Sequence, residues 1–202
     1  MKRLSPAQVA QHAFIDAKDE IYSIHDYHPG LGRSGGAGNA LILDFKTDIN
    51  EACLAHWLDR KKWQATKTLA ATVRAAWPET WRQETCIVPT PPSGPRDHPD
   101  YDGRLTNLLA LAKLPFADCV TLTAFHTPLH GQSDRPTPEA LALAYRFDRR
   151  SGPRRPPQRL VIFDDVLTTG RHFRAMCLVL QTRFPNAAIV GVFLARRRIV
   201  EA

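Results

Sequence analysis

The segment from Leu160 to Gly170 constrains this chain most. Leu160-Val161-Ile162-Phe163 is an unbroken apolar run that ends directly on two adjacent acids, Asp164 and Asp165. The chain then turns through Thr168-Thr169-Gly170 into a stretch where Phe173, Met176, Cys177 and Leu180 recur at helical spacing. A short, wholly apolar run suits a strand covered on both faces, because a strand with one wet face alternates. A buried strand that turns straight into an amphipathic helix is the repeating unit of an α/β fold with a parallel sheet.

The same alternation runs through the rest of the second half. Thr85 to Pro89 and Cys119 to Phe125 read as strands, and Ala188 to Ala195 reads as a last, fully apolar one. Leu105 to Lys113 reads as a helix with Leu105, Leu108, Leu109 and Ala112 on one face. Thr137 caps a further short helix, with Pro138 at its first position. Ser151 to Gln158 is proline-rich and irregular. In sheets of this class, ligands bind at the carboxyl ends of the strands, near the point where strand order reverses.

The chemistry of the central segment follows from its residue types. A helix N-terminus offers unpaired N–H groups and a partial positive charge. Threonine hydroxyls, and a glycine that lets the backbone come close, make such a turn a phosphate cradle. Asp164 and Asp165 have no cationic partner in the local sequence and can accept hydrogen bonds from vicinal hydroxyls. Together these features read a sugar that carries a phosphate.

Four apolar residues, two acids and a Thr-Thr-Gly loop resemble the phosphoribosyl-pyrophosphate motif of type I phosphoribosyltransferases. The resemblance implies that the chain binds 5-phosphoribosyl-1-pyrophosphate. Asp164 and Asp165 would hold the ribose hydroxyls, and Val166, Leu167, Thr168, Thr169 and Gly170 would wrap the 5′-phosphate. The family usually has a small hydroxyl residue two places after the glycine. Here Arg171 and His172 follow instead, placed either to contact phosphate or to narrow the pocket. Ile87-Val88-Pro89-Thr90-Pro91 falls where the family has its pyrophosphate loop, which would include Thr90, Pro91 and Arg96. The flexible catalytic loop would run from His126 to about Pro136, with Gln132 and Arg135 as its polar residues. Within the family the order of segments looks most like the ComF-type competence-associated phosphoribosyltransferases. The cues are Val88-Pro89-Thr90-Pro91, Gln132-Ser133 with the helix leading to Phe147, and Asp164 to Gly170. Those proteins commonly carry a zinc ribbon, and this sequence has no paired CxxC.

The reaction implied is transfer of the phosphoribosyl group to a nitrogenous acceptor with release of pyrophosphate. Mg²⁺ would be held through the ligand's pyrophosphate rather than directly by the protein. The acceptor is not readable. In this family a variable hood sets it, here formed by the N-terminal region or the chain ends. The second reading is an accessory or regulatory protein of the same fold that handles nucleic acid or senses nucleotides, since fold does not fix function. A formal net charge of +7 favours anionic partners under either reading. The clusters at Arg60-Lys61-Lys62, Arg149-Arg150, Arg154-Arg155 and Arg196-Arg197-Arg198 read by default as solvated surface and point to nucleic acid only under the second reading. Self-association into a homodimer is also open.

The expected organisation is a mostly helical N-terminal extension or hood over residues 1–84 and a phosphoribosyltransferase core over 85–202. Ser5, Pro6 and Gln8 form a capping box at the start of a helix whose face would run through Val9, Ala13, Ala17 and Ile21. Tyr27 to Asn39 holds five glycines and reads as a loop. Ala40 to Phe45 reads as a short apolar strand or buried segment. Ile49 to about Ala76 reads as helical, broken near Lys61 and ended by Pro78. Gly30 to Gly35 spells GxGxxG, but that pattern indicates a dinucleotide only between a strand and a helix. Here an apolar, strand-like run follows it, so it reads as a loop. His25 and His28 lack the neighbours of a metal site. Trp57, Trp63, Trp77 and Trp81 read as core rather than as a base-stacking platform, and the four cysteines as small apolar residues. With no signal-like apolar segment and no membrane-length run, the expected location is the cytoplasm, with no membrane partner.

Overall fold

The computed structural model of the protein describes residues 1–47, 55–92, 101–123 and 136–198, with side chains of 55–59 excepted. In chain order the elements are β1 (Lys2–Arg3), α1 (Pro6–Val9), β2 (Glu20–Tyr27), α2 (Ala37–Phe45), α3 (Ala55–Ala76), β3 (Thr85–Pro89), α4 (Arg104–Leu111), β4 (Val120–Leu122), α5 (Pro138–Ala144), β5 (Tyr145–Phe147), β6 (Arg159–Leu167), α6 (Arg171–Arg183) and β7 (Ala188–Arg197). Five strands form one mixed sheet in the order β1-β2-β7-β6-β3. All neighbours in it are parallel except β1 with β2. β4 and β5 form a separate antiparallel pair.

β6 is apolar from Leu160 to Phe163 because both of its faces are covered there. Leu160 and Ile162 point into one buried cluster with Phe173, Met176 and Leu180 of α6. Val161 and Phe163 point into the other, with Ile42 and Phe45 of α2, Leu69 and Val73 of α3, and Leu108 of α4. The sheet is thus sandwiched between helices. β6 lies between β7 and β3, so the acids at its carboxyl end emerge among the carboxyl ends of parallel neighbours.

Several sequence expectations change. The N-terminal stretch carries helices α1, α2 and α3, in keeping with a mostly helical region, but it also supplies β1 and β2 to the main sheet. β2 pairs in parallel with β7 from Glu20↔Val190 to Tyr27↔Arg197. The capping box at Ser5 and Gln8 is present, yet α1 stops after one turn, so Val9, Ala13, Ala17 and Ile21 share no helix face. Past Val9 the chain continues in tighter turns, with Gln11 N–H donating to the Gln8 carbonyl at 3.3 Å and His12 N–H to the Val9 carbonyl at 3.0 Å. Phe14 N–H then donates to the distant Thr169 carbonyl at 2.9 Å, which takes the chain out of the helical path.

Ala40 to Phe45 belongs to helix α2, with Asn39, Ile42 and Phe45 buried at helical spacing. GxGxxG therefore does lie between a strand and a helix. It is an exposed loop with a 3₁₀ turn at Gly32–Gly35, tied by Asn39 Nδ2 to the His28 and Gly32 carbonyls at 2.8 and 2.9 Å. α3 runs unbroken past Lys61. The segment leading to Phe147 leaves its helix at Ala144 and continues as β5. β4 covers only Val120–Leu122 of the expected Cys119–Phe125, whose last two residues lie outside the described set. Trp77 and Trp81 are buried edge-to-face, whereas Trp63 is exposed with Lys67 over its ring. The side chain of Trp57 lies outside the described residues. Burial pushes the thiols of Cys86, Cys119 and Cys177 up to about 11, 12 and 12, as suits core residues rather than nucleophiles. Among the described residues no helix is long and apolar enough to cross a membrane.

Candidate functional site

A cavity of about 330 Å³ opens at the carboxyl end of β6 and β3. Asp164, Asp165 and Val166 form one wall, and Thr168, Thr169, Arg171 and His172 continue it around the loop into α6. Thr90 and Pro91, just past β3, line it next to the acids, with Thr90 N–H donating to the Phe163 carbonyl at 2.9 Å, and Arg104 lines it from the start of α4. Lys46 closes one side from the end of α2. The sequence-predicted residues therefore converge, with two exceptions. Leu167 is buried at 1% exposure, and Gly170 is buried as the N-cap of α6; neither lines the cavity. Arg96, Gln132 and Arg135 lie outside the described residues.

The two adjacent carboxyls differ in state. Burial, then the neighbouring Asp165 charge, raises the pKa of Asp164 above the ordinary carboxyl value. Burial would raise Asp165 as well. The Lys46 ammonium and the Arg104 guanidinium outweigh it, however, and hold that carboxyl below its ordinary value. Lys46 Nζ lies 2.9 Å from Asp165 Oδ2, and Arg104 Nη1 lies 3.8 Å from it. Arg104 also reaches Asp102 at 3.1 Å, and Asp102 is bound by Lys62 of α3 at 3.0 Å. Each acid also accepts a backbone N–H, Asp164 from Asp165 at 2.8 Å and Asp165 from Val166 at 2.6 Å, which fixes both rotamers. The site thus holds one reliably charged acceptor and one carboxyl that protonates more easily.

The loop into α6 is built for close approach. Gly170 has φ of 82°, a left-handed conformation that favours glycine, and α6 begins with neither a side-chain cap nor an acid in its first turn. Its first N–H groups and its positive end stay available to an anion. His172 Nδ1 is hydrogen-bonded to the Tyr145 hydroxyl at 2.7 Å. Burial and the Asp164 charge raise the Tyr145 pKa far above the ordinary phenol value, so this partner stays a neutral hydroxyl. The hydroxyl of Thr90 is buried and makes no hydrogen bond among the described residues; Arg104 Nη1, also buried, makes none either and lies 3.8 Å from Asp165 Oδ2. Both atoms belong to residues that line the cavity but are themselves covered.

Sequence reasoning missed Lys46, Arg104 and Tyr145. The only hint was indirect: two adjacent acids on a buried strand require cations from elsewhere. No protein-family model, no curated protein and no solved structure matches this chain.

Proposed function

We propose that the protein binds 5-phosphoribosyl-1-pyrophosphate in this cavity and transfers its phosphoribosyl group to a nitrogenous acceptor. The observation that carries the reading is the juxtaposition, on one cavity, of the Asp164–Asp165 pair and the uncapped N-terminus of α6. Asp165, held ionised, accepts hydrogen bonds from the ribose hydroxyls, and Asp164 completes the pair. The Thr168–Gly170 turn and the first amides of α6 take the 5′-phosphate. Thr90 and Arg104 line the part of the cavity where the pyrophosphate would lie.

Mg²⁺ fits this reading as a passenger on the pyrophosphate. When bound, Mg²⁺ supplies charge neutralisation to the departing pyrophosphate. The bond from C1 of the ribose to the pyrophosphate oxygen breaks, and a bond from C1 to the acceptor nitrogen forms. The nitrogen's proton leaves to solvent or to a nearby base. The residues supply positioning and charge, not a covalent nucleophile.

The test is thermal unfolding with and without phosphoribosyl pyrophosphate and Mg²⁺. At about a hundredfold excess over Kd the melting temperature should rise by about 5–10 °C. Asp165→Asn should remove that rise, because the replacement puts an amide where the ionised acceptor stood. No rise in the unaltered protein, or a full rise in Asp165→Asn, would sink the assignment. Where binding holds, pyrophosphate release in the presence of candidate bases identifies the acceptor.

A further inference from the structure

We infer that the segment 12–19 is a strap that orients the phosphate loop from behind, and that His12 is a positioning residue for phosphate recognition. The inference rests on the phosphoribosyl reading above. His12 Nδ1–H donates to the Thr168 carbonyl, and Phe14 N–H donates to the Thr169 carbonyl at 2.9 Å. In a planar trans peptide the carbonyl and the following N–H point in opposite directions. Among the described residues no peptide is cis. Tying these two carbonyls to the strap therefore turns the N–H groups of Thr169 and Gly170 the other way. Thr168 and Thr169 line the cavity, and neither His12 nor Phe14 does. The Thr169 N–H is thus turned toward the cavity, beside the first turn of α6, and the Gly170 N–H away from the strap.

The strap is anchored independently of these two bonds. Arg174, on α6, donates through Nε to the Phe14 carbonyl at 3.2 Å. Its guanidinium also pairs with Asp19, and with Asp16 at 2.9 Å. Ile15 packs where a side chain at position 170 would stand. His12 is 2% exposed, so burial disfavours its charged form. A carbonyl can only accept, which places the ring proton on Nδ1. Nε2 has no partner among the described residues, so the bond to Thr168 is the ring's only identified polar tie.

The experiment compares two probes on the full-length chain by calorimetry. Ribose 5-phosphate reports the loop, and Mg²⁺–pyrophosphate reports the part of the cavity at Thr90 and Arg104. His12→Gln places its amide near the Nε2 position, whereas His12→Asn places one near Nδ1 and can restore the bond to Thr168. His12→Gln should weaken ribose 5-phosphate binding by about tenfold, the size of one lost hydrogen bond to an ordered loop. His12→Asn should recover most of that affinity, and pyrophosphate should bind both variants as it binds the unaltered chain. Equal weakening of both probes, or no difference between the Asn and Gln variants, would mean that His12 serves stability only and would overturn the inference. Failure of the unaltered chain to bind ribose 5-phosphate would instead overturn the phosphoribosyl reading itself.

Discussion

Asp164→Asn should make the unliganded protein more stable at neutral and alkaline pH, and Asp165→Asn should make it less stable. The two changes are chemically identical and sit on adjacent residues. Asp164 has a raised pKa because burial and the Asp165 charge disfavour its ionised form. The folded state therefore holds this proton more tightly than the unfolded chain does. The favourable contribution is full below the unfolded pKa and is lost as pH rises through the folded one. Above that range the wild type keeps two adjacent carboxylates in a partly desolvated site, and Asn removes one of them. Asn also keeps the Oδ1 that accepts the Asp165 N–H at 2.8 Å. The gain should be about 1–2 kcal/mol near pH 8 and should vanish near pH 4, read from denaturant midpoints across pH.

Asp165→Asn does the reverse. It removes the charge that Lys46 and Arg104 approach at 2.9 and 3.8 Å, and turns an amide toward an ammonium. The loss should be about 1–2 kcal/mol, between the values for surface and buried pairs. Both variants should lose phosphoribosyl pyrophosphate. A chain that becomes more stable as it loses its ligand shows that the Asp164 carboxyl is kept for binding rather than for folding. Destabilisation by Asp164→Asn at pH 8 would overturn this account.

What was legible in the sequence was local. Leu160 to Gly170 announced strand, acids, turn and helix because each signal lies within reach of the next along the chain. The loop at Thr90 was legible for the same reason, since Pro89 and Pro91 end a short apolar strand. What was not legible depends on chain segments meeting from far apart. Lys46 reaches Asp165 only because α2 packs against the sheet, and the sequence marks Ala40 to Phe45 as a strand or buried segment without marking it as a helix. Leu41-Ile42-Leu43 looks like a strand until Asn39, Ile42 and Phe45 are seen to share a buried helical face. β2 was hidden by an accidental helical spacing from Val9 to Ile21. Its residue types do not alternate either, because Ile21 and Ser23 are buried on one face while Tyr22 and Ile24 pack half-buried against the core on the other. His12 carried no signal at all. Its role depends on a carbonyl contributed by the other end of the chain.

Gly170→Ala should be among the most damaging single-methyl additions in the protein. Two separate effects act at this position. The backbone has φ of 82°, and an L side chain there costs about 1–2 kcal/mol. The added Cβ would also fall within 2.5 Å of Ile15 Cγ1 and 3.5 Å of the Phe14 carbonyl carbon. Ile15 is 7% exposed and has little room to withdraw, so overpacking adds about 1–3 kcal/mol. The sum is about 2–5 kcal/mol, measurable as a fall in denaturant midpoint. A double-mutant cycle separates the two parts. Ile15→Ala is destabilising alone because it empties a buried site, but it creates the space that the added methyl needs. The two changes should therefore be less harmful together than their sum by about 1–2 kcal/mol. The residual deficit is the backbone strain, which no change at Ile15 can relieve. Strict additivity would mean that the strap does not press on the loop at this point. If coupling appears, the glycine serves two ends: it lets the chain turn left-handed into α6, and it lets residues 12–19 lie against the turn closely enough to hold its carbonyls.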